Sequence, residues 1–147
     1  MNFYEKEPIS LYLDNLDLLE DFVSERQQHI QLFQHPWLGK VLVINNEIQH
    51  VEKYQSLYHE MLVHLPASFV PHIERALILG GGSLFAAYEV LKYSSVKQVV
   101  LCDYDGAVLD LMKKYYTHAD LVTQDRRFSH IEKDHTSIFN NAQIPSI

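Results

Sequence analysis

The run AlaLeuIleLeuGlyGlyGlySerLeuPhe, residues 76–85, decides the reading of this chain. Four apolar residues make a short buried strand, three glycines break it, and an apolar segment then enters a helix. A second strand ends on Asp103, 21 residues after Gly82, with Asp105 just beyond it. Glycines at such a turn let the backbone approach a ligand closely. An acid at the tip of the next strand can accept hydrogen bonds from ribose hydroxyls. The layout is that of a nucleoside-binding crevice.

Outward from this run toward the C-terminus, strands and helices alternate. Residues 76–79 form a strand, 84–93 a helix, 97–102 a second strand, and 105–116 a second helix with Val108, Leu111, Met112 and Tyr115 on one side. A third strand around 128–132 leads to Asp134. Such alternation implies a parallel sheet with right-handed crossovers. Asp103 has a simpler alternative role as a cap of the helix that starts near Gly106, although Asp105 is better placed for it. Asp134 has the same alternative, as the start of a short helix over 136–141. Cys102, at the end of an apolar strand, reads as a small buried residue. Lys113-Lys114 reads as a solvated helix end favoured by the helix dipole.

Toward the N-terminus the pattern changes. HisIleGlnLeuPheGln (29–34), LysValLeuValIle (40–44) and GluIleGlnHisVal (47–51) read as strands, and 9–13 as a further one. Asparagine tolerates the left-handed conformation, so Asn45-Asn46 suits a two-residue type I′ hairpin turn. Over 53–65 the period becomes helical: Tyr54, Leu57, Tyr58, Met61, Leu62 and Leu65 share one face, and by this spacing Tyr54, Leu57, Met61 and Leu65 are expected in the core. Pro66 and Pro71 bracket a linker. The expected organisation is a β lobe over 1–66, ending in a helix, and an α/β unit over 67–147. Trp37, beside the hairpin, is expected to pack rather than bind.

The chain of 147 residues is long enough to bury a core. Its formal charge of −7 argues against non-specific binding to nucleic acid or to an acidic membrane. One cysteine excludes an intrachain disulfide and permits a reducing compartment. Neither a signal peptide nor an apolar run of roughly 20 residues is present, so a cytoplasmic location is the default. His59-Glu60 matches the first half of a zinc-protease motif. The next histidine, His64, follows five residues later, about 140° around a helix, so no metal site is expected.

Four segments carry a more specific signal: GlyLysValLeuValIleAsnAsnGluIleGln (39–49), TyrHisGluMetLeuValHisLeuPro (58–66), AlaLeuIleLeuGlyGlyGly (76–82) and GluValLeuLysTyrSerSerVal (89–96). In this order they resemble the polyamine aminopropyltransferases, of which spermidine synthase is the type member, from about Glu25 to Phe139. The resemblance implies an N-terminal antiparallel β lobe followed by part of a Rossmann-like, methyltransferase-type sheet. It implies transfer of an aminopropyl group from decarboxylated S-adenosylmethionine, a co-substrate rather than a bound cofactor, to putrescine. The products are spermidine and methylthioadenosine. It places Gln28, the turn Gly80, Gly81 and Gly82, Asp103, Asp134 and His135 on the nucleoside side. Gln49, Tyr58, His59 and Ser83 fall on the polyamine side. A diamine or polyamine is the implied partner, and a homo-oligomer the expected state.

Departures from the family pattern stand beside these matches. After the glycines the family continues with an aspartate, which binds the amine, and two glycines; here Ser83-Leu84-Phe85 follow. Serine keeps a hydrogen-bonding oxygen without the charge. Leu84 and Phe85 add bulk, so the helix is expected to sit further from the sheet or the pocket to be narrower. His135 stands where a glycine usually follows the adenine-site acid, and Tyr54-Gln55 replaces an acidic pair. The family's proton acceptor lies on a fourth strand, beyond Ile147, so no catalytic residue is assigned. Without that strand, 76–79 becomes an exposed apolar edge, so either the chain is a fragment, or a second chain covers the edge, or the tail after Asp134 folds back over it.

Three functions remain in view: an aminopropyltransferase, complete or truncated; a degenerate nucleoside-binding or interaction protein that keeps the scaffold alone; and a methyltransferase using S-adenosylmethionine. The N-terminal hairpin and the TyrHisGlu helix argue against the third.

Overall fold

A computed structural model describes residues 3–5 and 11–133. The chain divides into two compact units, Met1–Ser56 and Leu57–Ile147.

In the first unit, β1 (Phe3–Glu5) and β2 (Leu11–Leu13) pair antiparallel. β3 (Asp17–Val23), β4 (His29–His35), β5 (Gly39–Ile44) and β6 (Glu47–Val51) form an antiparallel meander in chain order. Three of these strands lie where the apolar pattern predicts them. The β5–β6 turn is Asn45-Asn46, with φ of +51° and +65°, as a type I′ turn requires. Leu16, Phe33, Leu38, Val41 and Val43 form the core, with Leu13, Ile48 and Val51 packed on it. β3 is a strand the sequence pattern does not reveal. Its residues AspLeuLeuGluAspPheVal do not alternate and stay largely exposed. Pairing with β4 holds it, and Asp21 accepts hydrogen bonds from His29 and Gln31 across the ladder. Those two bonds hold the Asp21 carboxyl below its ordinary pKa. Trp37 is 64% exposed rather than packed into the core; the Lys53 ammonium lies over its ring and Tyr54 meets it edge-on.

A short 3₁₀ turn, Glu52–Tyr54, leads into α1 (Gln55–Ala67). Pro66, where the sequence reading drew its boundary, lies inside this helix. The expected core residues Leu57, Met61, Leu65 and Tyr54 are a correction: they are between 48% and 69% exposed, as are Tyr58 and Leu62 on the same face. The buried residue of α1 is His59. The apolar stripe is genuine; in this chain it faces outward.

The second unit contains β7 (Arg75–Leu79), α2 (Phe85–Leu91), β8 (Gln98–Asp103), α3 (Gly106–Tyr115), α4 (Thr117–Thr123) and β9 (Phe128–Glu132). The strands form a parallel sheet in the order β7-β8-β9. β8 is central, and its ValValLeuCys run is buried throughout, as a strand covered on both faces requires. Cys102 is among those buried residues. Among the described strands β7 is an edge, only partly buried, and an apolar groove of about 500 Å³ runs along it, lined in part by Leu62, Val70, Leu77, Leu79 and Val90. The predicted helix over 105–116 corresponds to α3, and α4 is a further short helix outside the predicted range. Tyr116 adopts extended backbone at φ −137°, and α4 follows it. The Arg127 guanidinium closes the bottom of the unit by donating to the carbonyls of Leu91, Tyr93 and Val96 and to Asp125.

Candidate nucleoside-binding site

Parallel neighbours bring their C-terminal ends together, and open α/β sheets bind ligands beyond those ends. Leu79 pairs with Cys102, which sets Gly80 beside Asp103. Gly80 then donates its N–H to the Cys102 carbonyl at 2.8 Å. Gly80 and Gly81 have φ of +74° and +85°, the left-handed region that favours glycine. Gly82 leaves little room for a side chain: a Cβ there would lie 3.1 Å from Asp103 Oδ2 and 3.2 Å from Val108, tight enough that a neighbour would have to shift.

Asp103 faces this turn. Its Oδ2 accepts from the Gly82 N–H at 2.7 Å and its Oδ1 from the Asp105 N–H at 3.0 Å. The carboxylate therefore ties the glycine turn to the end of β8. It remains partly exposed, and each oxygen keeps a further lone pair for a hydroxyl donor. Asp105 is the cap of α3, its Oδ1 accepting from the Ala107 N–H at 3.0 Å. The cap and the turn-facing acid are thus different residues.

The bulk after the glycines turns inward. Leu84 is fully buried at φ +66°, and Phe85 is 5% exposed. A leucine in the left-handed region costs roughly 1–2 kcal/mol, which burial of its side chain offsets. A Cβ on Gly80 would meet open space, so neither residue crowds that glycine. Phe85 packs against His59 with ring centres 5.2 Å apart and stacks on His118 at 3.7 Å and 19°. His118 Nε2 donates to the Ser83 carbonyl at 2.9 Å. Burial holds the His118 pKa below its ordinary value; the Ser83 carbonyl pulls it up and nearby His59 pushes it further down.

Of the expected polyamine-side residues, His59 is buried and reaches the turn region through Phe85. Tyr58 is 63% exposed, its ring edge-on to His59 at 4.9 Å. Ser83 is half-buried in the turn itself. Gln28 and Gln49 belong to the first unit: Gln28 is half-buried, its backbone N–H donating to Ser24 Oγ, and Gln49 is exposed on β6. Asp134, His135 and the expected 136–141 helix lie outside the described residues. His64 bonds to Glu89 at 2.9 Å and to the Tyr93 hydroxyl at 2.8 Å, a tie between α1 and α2. Among the described residues no three His, Cys, Asp or Glu side chains form a metal-binding group. None of the helices there is long and apolar enough to cross a membrane. His118 is the residue that sequence reasoning missed. It lies 35 residues after Ser83, on a helix with no strong periodic signal, so only the folded chain brings the two together.

A family model described as the spermine/spermidine synthase domain matches residues 55–144. The chain belongs to this family. Polyamine aminopropyltransferase 1 of Aquifex aeolicus is 37% identical over 107 residues, 73% of this chain and 38% of that protein. Putrescine N-methyltransferase 2 of Nicotiana attenuata is 33% identical over 116 residues, 79% of this chain and 31% of that protein. The crystal structure of spermidine synthase from Thermotoga maritima superposes with a TM-score of 0.81 at 30% identity, covering 90% of this chain and 46% of that one. A spermidine synthase in complex with the transition-state analogue AdoDATO gives a TM-score of 0.80 at 30% identity, covering 89% of this chain and 44% of that one. The chain therefore spans about a third of the length of the curated relatives and less than half of the solved ones. The methyltransferase relative changes one expectation. Any stretch of 116 residues within 147 includes residues 32–116, and with them the hairpin and the TyrHisGlu helix. Both features therefore lie within the stretch shared with a protein named as a methyltransferase and do not by themselves argue against methyl transfer.

Proposed function

We propose that this chain holds the nucleoside end of decarboxylated S-adenosylmethionine over the Gly80–Gly82 turn, as part of an aminopropyltransferase that uses putrescine. One observation carries the reading: Asp103, at the tip of β8, is bound to the glycine turn through Gly82 and is still open to a further donor. Ribose hydroxyls suit such an acid. Gln28, Asp134 and His135 would complete the nucleoside side, and Gln49, Tyr58, His59 and Ser83 the amine side.

In the reaction the lone pair of a putrescine nitrogen attacks the carbon beside the sulfonium. The carbon–sulfur bond breaks, its electron pair stays on sulfur, and methylthioadenosine leaves as a neutral thioether. The new secondary amine sheds one proton. The site must therefore align a cation with a neutral amine and accept that proton. No described residue is assigned the base.

The relatives named putrescine N-methyltransferases favour a second reading, methyl transfer from S-adenosylmethionine to the same diamine. A non-catalytic nucleoside-binding protein is the third reading, motivated by Ser83 in place of an acid. Incubating the protein with putrescine and each donor in turn, with mass spectrometry of the products, separates all three. Spermidine from the decarboxylated donor supports the proposal. N-methylputrescine from the ordinary donor supports the second reading. Methylthioadenosine binding with neither product supports the third, and no nucleoside binding by folded protein overturns all of them.

A further inference from the structure

We propose that His118 is a positioning residue for the glycine-rich turn, a clamp on the Ser83 carbonyl that couples nucleoside binding to protonation of its ring. The nucleoside half of this statement rests on the function proposed above; the clamp itself does not.

Every residue of the turn from Gly80 to Leu84 is tethered. Gly80 N–H donates to Cys102, Gly81 O accepts from Leu84 N–H, and Gly82 N–H donates to Asp103. Ser83 O accepts from His118. Asp103 and His118 are the two side chains among these tethers. Asp103 holds the β8 side and His118 holds the side that enters α2. Leu84, between the clamp and the helix, sits in a backbone conformation that leucine rarely adopts. A turn of this kind needs its neighbours to over-determine it.

The surroundings of His118 favour the neutral ring. The Ser83 carbonyl can only accept, so the proton is on Nε2. Phe85 stacks on the ring, while Tyr88 from α2 and Tyr116 from the α3–α4 junction meet it edge-on. His59 of α1 is the titratable group that opposes its charging. No carboxylate is bonded to it among the described residues. An imidazolium would carry a second N–H, on Nδ1, with no hydrogen-bond acceptor among the described residues, and would lie beside His59. It is more stable in water than in the stack, and leaving the stack frees the Ser83 carbonyl. The sign follows: the folded pKa is depressed, so the clamp is fully present above the ordinary imidazole value of about 6.5 and is lost as pH falls toward the lower folded value.

The test compares wild type with His118→Gln, which keeps a donor but does not titrate, and His118→Phe, which keeps a ring but cannot donate. Amide hydrogen exchange at Gly82 and Leu84, corrected for intrinsic rates, reads the turn without ligand. Calorimetry with methylthioadenosine reads the site. In wild type, exchange protection and affinity should both fall between pH 7.5 and 5, by up to about tenfold per unit. His118→Gln should remain flat over that range, and His118→Phe should be about tenfold weaker at every pH. Turn amides in wild type that ignore pH, or a His118→Gln variant that keeps the wild-type pH profile, overturn the clamp. A pH-dependent turn in a protein that binds no methylthioadenosine supports the clamp and refutes the nucleoside reading instead.

Discussion

Asp103→Ala removes the acceptors of the Gly82 amide in the glycine turn and of the Asp105 amide beyond β8, and gives a local signal that can be sized. A hydrogen bond from a backbone N–H to a carboxylate contributes ~1.5–3 kcal/mol. Asp103 is partly exposed, so water replaces some of the loss and the lower end applies to each of its two bonds. About 1.5 kcal/mol is slightly more than a tenfold change in a local opening equilibrium. Exchange of the Gly82 and Asp105 amides should therefore accelerate about tenfold. The Ala107 amide is an internal control, because it donates to Asp105 rather than Asp103. It should change by less than about threefold, since a cap bonded to a different acid is only weakly coupled. The assay is amide exchange followed by two-dimensional NMR, with methylthioadenosine calorimetry alongside. Unchanged rates at Gly82 and Asp105 would refute the tether. An equal rise at Ala107 would show general loosening of α3 instead. Methylthioadenosine affinity equal to wild type would remove Asp103 from the site.

Arg127→Met strips the donor shared by the carbonyls of Leu91, Tyr93 and Val96. The expected loss is ~3 kcal/mol, seen as a lower urea midpoint; a loss under ~1 kcal/mol would show that water serves these carbonyls equally well. The same variant should flatten the acid limb of the stability curve. Hydrogen bonding to Arg127 holds the Asp125 carboxyl below its ordinary 3.8. That contribution is therefore present above 3.8 and disappears as pH falls through the lower folded value. Asn46→Gly relieves a left-handed asparagine at φ +65° and should raise stability by up to ~1 kcal/mol in a thermal melt. Met61→Gln, on the exposed face of α1, should shift stability by no more than ~0.5 kcal/mol, whereas a loss above ~2 kcal/mol would mean that this face is packed in solution.

Met61, the last of these residues, marks where sequence reasoning stopped. The period of Leu57, Tyr58, Met61, Leu62 and Leu65 identified α1 correctly, because spacing reports which residues share a face. It cannot report what the face meets, and in this chain the face is open. β4, β5, β6, β7 and β8 were legible because their apolar residues alternate or run together between turn residues. β3 was not, since pairing with β4 alone makes it a strand. α4 was not, because its seven residues ThrHisAlaAspLeuValThr are too few to show a helical period. In the site, the glycines and Asp103 were visible as a motif whose parts are local or one crossover apart. The inward course of Leu84 and Phe85 depends on a positive φ at leucine, which no propensity predicts. The partner of Ser83 depends on where α4 docks, a matter of tertiary packing.

The geometry also bounds what the glycine turn can select. Aminopropyl transfer and methyl transfer from the two adenosine donors share the ribose, the adenine and the sulfonium; they differ in which carbon beside sulfur is attacked and in whether a carboxylate is present. In the proposed binding mode Asp103 and Gly82 address the shared part, so changes there should weaken both donors alike. Discrimination has to come from groups that meet the chain beyond sulfur. Ser83 is the one expected polyamine-side residue located in the turn, and it is neutral. Restoring charge with Ser83→Asp is therefore the informative perturbation. An acid there would repel the carboxylate of S-adenosylmethionine and attract an amine, shifting preference toward the decarboxylated donor. Two like charges a few ångströms apart at an exposed site interact by roughly 1 kcal/mol or more, so competition calorimetry should show a ratio change of at least about fivefold. An unchanged ratio would place donor selection outside the turn.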